Sequence, residues 1–134
     1  MNYAKILGVF VLATVLAVPA MVSAASQVPA GFIAVSKKQM TWDEANAWCQ
    51  QHGGRLPLIG GSTSPRPEMP PGTPIDGFGS KEASWPKGLP RGTYWTGAKV
   101  SNFPNMFWAV DSLGGTVGIE GALKFDPLRV ACVP

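Results

Sequence analysis

A 33-residue stretch in the middle of this chain limits its fold more than any other feature. Between Gly60 and Gly92 it contains seven glycines and seven prolines. Proline removes backbone donors, and glycine weakens both helices and strands. Segments of this length without regular structure are usually functional surface loops or mobile ones. We therefore expect a loop-rich domain rather than a helical bundle, with at most a single helical turn near 80–85 inside the stretch.

The first 24 residues have the pattern of a secretory signal peptide. Lys5 supplies a positive start, an apolar run follows over 6–18, and small residues occupy the two positions that a signal peptidase reads. We expect cleavage after Ala24, which leaves one domain, 25–134, in the periplasm or outside the cell and without a membrane span. The alternative is an uncleaved N-terminal anchor, since the apolar stretch is just long enough to cross a bilayer.

Composition and charge remove several classes of function. The chain has 46% hydrophobic residues, with five Trp, six Phe and two Tyr, which is too rich in core-forming residues for a disordered tail. Its net charge is +3 without a run of like charges, so nothing indicates a nucleic-acid partner. One histidine and eight scattered acidic residues make zinc and calcium sites unfavourable. We expect no metal, no cofactor and no catalytic residue.

Two cysteines, Cys49 and Cys132, lie 83 residues apart. In an oxidising compartment an even pair with nothing left over predicts one disulfide. In the chain-entropy model a crosslink across such a loop stabilises the fold by about 4–4.5 kcal/mol. A competing interpretation is a nucleophilic pair of Cys49 with His52, which would share a helix face with it. A free thiol is poorly suited to such a compartment.

The clearest local signal is a helix start. Thr41 and Glu44 form a capping box, in which each side chain bonds the backbone N–H of the other residue. The spacing predicts a helix that ends at Gln51 or His52, where Gly53 and its neighbour supply a left-handed stop. Cys49 lies on its apolar stripe and is placed to tie the helix to an element behind it.

The rest of the chain favours short strands. A first strand is expected over 30–36, and 55–59 is expected to be extended. The C-terminal part predicts strands over 93–98, 106–111, 116–119, 122–125 and 128–133, with turns at 112–115 and 120–121.

The order of these elements resembles the C-type-lectin-like fold, and most closely the family of C-terminal domains in bacterial collagen-like adhesins. The motifs that carry the resemblance are Trp42-Asp43-Glu44-Ala45 leading to Cys49, Gly53-Gly54-Arg55-Leu56-Pro57, Tyr94-Trp95-Thr96-Gly97, Phe107-Trp108-Ala109-Val110-Asp111 and Arg129-Val130-Ala131-Cys132-Val133. The resemblance implies an α+β fold in which one main helix packs on a small antiparallel sheet with a long irregular loop. It covers 41–133.

The chain also departs from that family. The Pro/Gly stretch replaces a second helix, and two residues separate Arg129 from Cys132. The tripeptides with which the calcium-dependent members bind sugars are missing, so calcium-dependent sugar binding is not expected. The resemblance implies a secreted adhesion or binding module. The alternatives are a structural subunit of an exported surface assembly and an enzyme of the formylglycine-generating type, which needs reactive cysteines.

One tryptophan stands apart from the other four, which occupy positions expected in a core. Trp85 lies within the Pro/Gly stretch and is accompanied by the cations Lys81, Lys87 and Arg91. An exposed tryptophan with three cations is suited to stack on a sugar and hold its acidic groups. We therefore predict these four residues as a contact surface for an anionic glycan or a cell-surface partner protein. The alternative is that Trp85 closes the end of a small core.

Overall fold

The computed structural model describes residues 28–134, and the predicted signal peptide lies outside the described residues. Its elements, in chain order, are strand β1 (Ala34–Val35), helix α1 (Trp42–Gln51), and strands β2 (Pro74–Ile75), β3 (Gly79–Ser80), β4 (Thr93–Lys99), β5 (Met106–Asp111), β6 (Gly118–Leu123) and β7 (Ala131–Cys132). A 3-10 turn at Leu113–Gly115 joins β5 to β6. One helix with small antiparallel sheets confirms the expected α+β class.

Helix α1 begins and ends where the sequence predicts. The N–H and the hydroxyl of Thr41 both donate to Oε1 of Glu44, each at 3.0 Å. These bonds favour the charged carboxylate and hold the pKa of Glu44 below its ordinary value. Gly53, with φ of +78°, turns the chain out of the helix. No helix within residues 28–134 is long and apolar enough to cross a membrane.

Strands β4, β5 and β6 form a three-stranded antiparallel sheet in that order. Strand β5 has the predicted bounds, and β4 extends one residue beyond its predicted end. The predicted turn at 120–121 is wrong, because β6 passes through it without interruption. Six consecutive pairs join β5 to β6, from Met106 opposite Leu123 to Asp111 opposite Gly118. This ladder outweighs the local turn preference of a Glu-Gly pair.

The two ends of the domain meet in a second sheet. Strand β1 pairs antiparallel with β7, with Ala34 opposite Cys132, although only two residues of the predicted first strand enter the ladder. The disulfide joins Cys49 of α1 to Cys132 of β7, with 5.4 Å between the Cα atoms. The predicted crosslink is confirmed. The competing Cys49–His52 nucleophile is wrong, since residues 28–134 hold no free cysteine.

The Pro/Gly stretch is more ordered than its composition predicts. Strands β2 and β3 pair within it as a short hairpin. The single helical turn that the sequence allows near 80–85 does not form, and Ser84 forms a bridge with Thr116 instead. Ile75, Phe78 and Leu89 are buried. These side chains dock the stretch on the rest of the domain.

The three-stranded sheet therefore has a hydrophobic core on each face. Alternate residues of β5 point to opposite faces, so Phe107 contacts one core and Val110 the other. The first core contains Cys49, Cys132 and the fully buried Trp95, beneath helix α1. The second contains the apolar residues of the Pro/Gly stretch. Trp42, Trp48 and Trp108 are partly buried and pack against these cores, in line with the core positions expected for them.

Candidate functional site

A groove with a volume of about 400 Å³ lies where the β1 end, the end of the Pro/Gly stretch and the segment before β7 converge. The residues that line it are Pro29, Val35, Ser36, Lys37, Gly88, Pro90 and Arg129. Two of the seven are cations and none is acidic. Clefts that combine apolar walls with a few placed polar groups are the usual form of ligand sites.

Lys37 stands at the tip of a tight turn that a serine holds in place. The buried Ser36 hydroxyl donates to the carbonyl of Lys38 at 2.9 Å and accepts from the N–H of Lys38 at 3.0 Å. The N–H of Ser36 donates to the carbonyl of Val130 at 2.9 Å, which anchors the turn beside β7. A polar side chain that satisfies its own backbone in this way favours a turn over a continued strand. The Lys37 side chain is therefore presented to solvent from a fixed position.

Arg129 is held from the opposite side by strand β4. Its carbonyl accepts from the N–H of Trp95 at 3.1 Å, and its N–H donates to the carbonyl of Thr93 at 2.9 Å. Its side chain crosses Gly92 so closely that a Cβ placed there would lie 2.5 Å from Nε. Glycine at position 92 therefore makes room for the guanidinium stem.

Tyr94 supports the same wall of the groove. Its hydroxyl donates to the carbonyl of Pro90 at 2.6 Å and so fixes a groove-lining residue. Burial raises the pKa of Tyr94, against the opposing charge of Arg129. The hydroxyl thus stays protonated and keeps its donor role at neutral pH.

No salt bridge within residues 28–134 neutralises the positive charge of the groove. The two salt bridges among residues 28–134 join Arg55 to Asp76 and Lys124 to Asp43. Neither includes Lys37 or Arg129. The groove accordingly offers two cations to an external anion.

The four predicted contact residues differ in their exposure and bonding. Lys81 donates from Nζ to the carbonyl of Met69 at 2.7 Å. Trp85 is only partly exposed, and its Nε1 donates to the carbonyl of Leu89 at 2.9 Å. Lys87 and Arg91 are exposed. They adjoin the groove in sequence, since Lys87 precedes Gly88 and Arg91 follows Pro90, although the guanidinium of Arg91 lies beside Gly115.

Sequence reasoning missed both cations that line the groove. Lys37 stood in a polar break between predicted elements, and Arg129 in the closing motif that contains Cys132. They lie 92 positions apart in the chain. The pairing of β1 with β7 brings the two residues together, and predicting that pairing would have indicated them.

No family model, no curated protein and no solved structure matches this chain. The C-type-lectin-like fold and the adhesin family therefore remain predictions that depend on the short motifs. Within residues 28–134 there is no group of three or more His, Cys, Asp or Glu side chains placed to hold a metal ion.

Proposed function

We propose that this chain is an exported, non-enzymatic binding module whose basic groove binds an acidic glycan without calcium. The observation that carries the proposal is the pair of unneutralised cations, Lys37 and Arg129, on the walls of one groove. The buried disulfide is compatible with an exported protein, because such bonds persist in oxidising compartments.

The two cations have different and complementary chemistry. A guanidinium offers a planar fork that matches a carboxylate or sulfate, whereas an ammonium acts as a compact point charge. The stem of Arg129 is restrained over Gly92 and the turn of Lys37 by Ser36. The Arg129 side chain is thereby partly pre-organised, so it loses less conformational freedom when an anion binds. Pro29, Val35 and Pro90 give the same groove apolar walls for the C–H face of a sugar ring.

The proposal predicts that binding depends on these two side chains and on salt. Isothermal titration with an acidic oligosaccharide and its neutral counterpart should show binding of the acidic form alone. Lys37→Ser combined with Arg129→Gln should weaken it at least tenfold, since each charge-assisted bond contributes roughly 1.5–3 kcal/mol. The affinity should also fall as ionic strength rises, because exposed charges are screened.

Matched controls separate the groove from general charge. Arg66→Gln and Lys99→Ser remove the same charges at exposed positions that do not line the groove and should leave affinity nearly unchanged. Gly92→Ala keeps every charge but displaces the Arg129 stem, so it should weaken binding. Equal loss in the control pair and the groove pair, or equal binding of the neutral sugar, would refute the proposal.

A further inference from the structure

Strand β6 leaves one side of the three-stranded sheet open. Its inner side pairs with β5 along all six residues. On its outer side, Val117 just before the strand exchanges bonds with Ala83 and Glu82 at 2.8 Å each, and at the far end the carbonyl of Leu123 accepts from the N–H of Asp126 at 2.9 Å. Between these two ends residues 28–134 leave the outer edge unpaired, and both Glu120 and Gly121 are exposed there.

The bonds at the two ends of β6 show which backbone groups point outward. The N–H of Lys124 donates to the carbonyl of Asn105, on the β5 side, whereas the N–H of Val117 donates outward to Ala83. Directions alternate along an antiparallel strand. The N–H groups of Ile119, Gly121 and Leu123 therefore point away from the sheet.

Among residues 28–134, the outer edge of β6 has few of the features that prevent strand addition. Edge strands are commonly protected by proline, by charged side chains, especially lysine, or by a β-bulge. β6 contains no proline or lysine and a single charge, at Glu120, and its register with β5 runs without a shift. Leu123, at the end of the strand, is 49% exposed.

We propose that β6 pairs with β6 of a second copy of this chain, antiparallel, about a two-fold axis at Gly121. In this register Gly121 opposes itself and Ile119 opposes Leu123, whose carbonyl accepts from Ile119 with the lone pair that its bond to Asp126 leaves free. An axis at Glu120 would instead place two carboxylates directly opposite each other, which destabilises a pair of strands.

The side chains of β6 suit this self-pairing. With the axis at Gly121, the apolar Ile119 and Leu123 face each other on one side of the sheet. On the other side Glu120 faces Ala122, so no like charges meet. A closed, isologous contact of this kind is the commonest form of homodimer. It would join two three-stranded sheets into one of six strands and give the assembly two basic grooves, which goes beyond the function proposed above.

Hydrogen exchange on the unmodified protein tests the proposal directly. The protein purified from its producing cell, with the disulfide intact, would be followed by NMR over a wide concentration range, with sedimentation velocity in parallel. The amides of Ile119, Gly121 and Leu123 should become protected as the dimer forms, while Glu120 and Ala122 stay protected throughout. A protein that is monomeric at all concentrations overturns the proposal. So does a dimer whose three outward amides still exchange freely.

A single variant tests the same edge by affinity. Leu123→Pro removes an outward N–H without removing a bond to β5. Because each dimer loses that donor twice, the dimer dissociation constant should rise about thirtyfold. Leu113→Ser, at a position 83% exposed and outside β6, is the matched control and should leave the constant unchanged. An unchanged constant in Leu123→Pro would overturn the proposal.

Discussion

At the scale of single residues, Trp85 shows how environment decides the role of an aromatic side chain. Its ring centroid lies 5.4 Å from that of Phe78 and 5.8 Å from that of Tyr94. Its Nε1 is bonded to the carbonyl of Leu89 inside the same segment. These contacts favour the alternative in which Trp85 closes the end of a core. The cations that line the groove, Lys37 and Arg129, are instead held by their backbones, and neither takes part in a salt bridge within residues 28–134.

We predict that Trp85→Ala destabilises the domain substantially. The expected loss is about 3 kcal/mol, near the lower end for tryptophan truncation because the ring is partly exposed. Urea unfolding would measure it, with Leu113→Ala as the control that should change stability by less than about 0.5 kcal/mol. Full stability with lost glycan binding would instead favour Trp85 as a ligand contact.

At the scale of elements, the disulfide connects the one helix to the strand that ends the domain. Both cysteines are fully buried in the core under helix α1. The helix packs directly above β4, where Trp42 donates from Nε1 to the carbonyl of Thr96 at 2.9 Å. The Trp42 ring also stacks on that of Phe107, with the ring centroids 3.9 Å apart, which adds a second contact between the helix and the sheet. The crosslink thus restricts elements that are distant in sequence but adjacent in the fold.

Removing the crosslink should lower the free energy of unfolding by about 4 kcal/mol, as the chain-entropy model gives for a loop of this length. The variant is Cys49→Ala with Cys132→Ala, followed by urea unfolding. Reduced wild-type protein is the control, and it should lose a similar amount if the covalent link rather than packing is responsible. A loss below about 1 kcal/mol in both would show that the unfolded chain is not restricted by the bond in the way this model assumes.

At the scale of the whole molecule, the domain is stabilised by its two cores and one crosslink. The core beneath α1 includes the disulfide, and the opposite core is completed by the Pro/Gly stretch. Truncating the buried apolar side chains of that stretch should therefore destabilise the whole domain.

Chelation gives a test at this scale. Because residues 28–134 hold no cluster of metal-binding side chains, EDTA should leave the thermal midpoint of unfolding unchanged. Differential scanning calorimetry with and without the chelator measures it. A fall of several degrees that Ca²⁺ reverses would reveal a site built from backbone carbonyls.

The sequence by itself determined the features that depend on neighbouring residues. The capping box of Thr41 and Glu44, the stop at Gly53 and the strand over 106–111 follow from short-range bonding and alternation, and the structure has them. The disulfide was predictable too, because two cysteines allow a single pairing. The turn expected at 120–121 failed because a six-residue ladder with β5 outweighs a local preference.

Only the tertiary structure decided the features that depend on distant parts of the chain. Composition alone suggested that the Pro/Gly stretch is a solvated loop, yet Ile75, Phe78 and Leu89 fill the space over one face of the sheet. The groove has the same origin, since Lys37 and Arg129 meet only when β1 pairs with β7. Neither residue carries a local signal for this, because the free energy that brings them together comes from burial and pairing elsewhere in the domain.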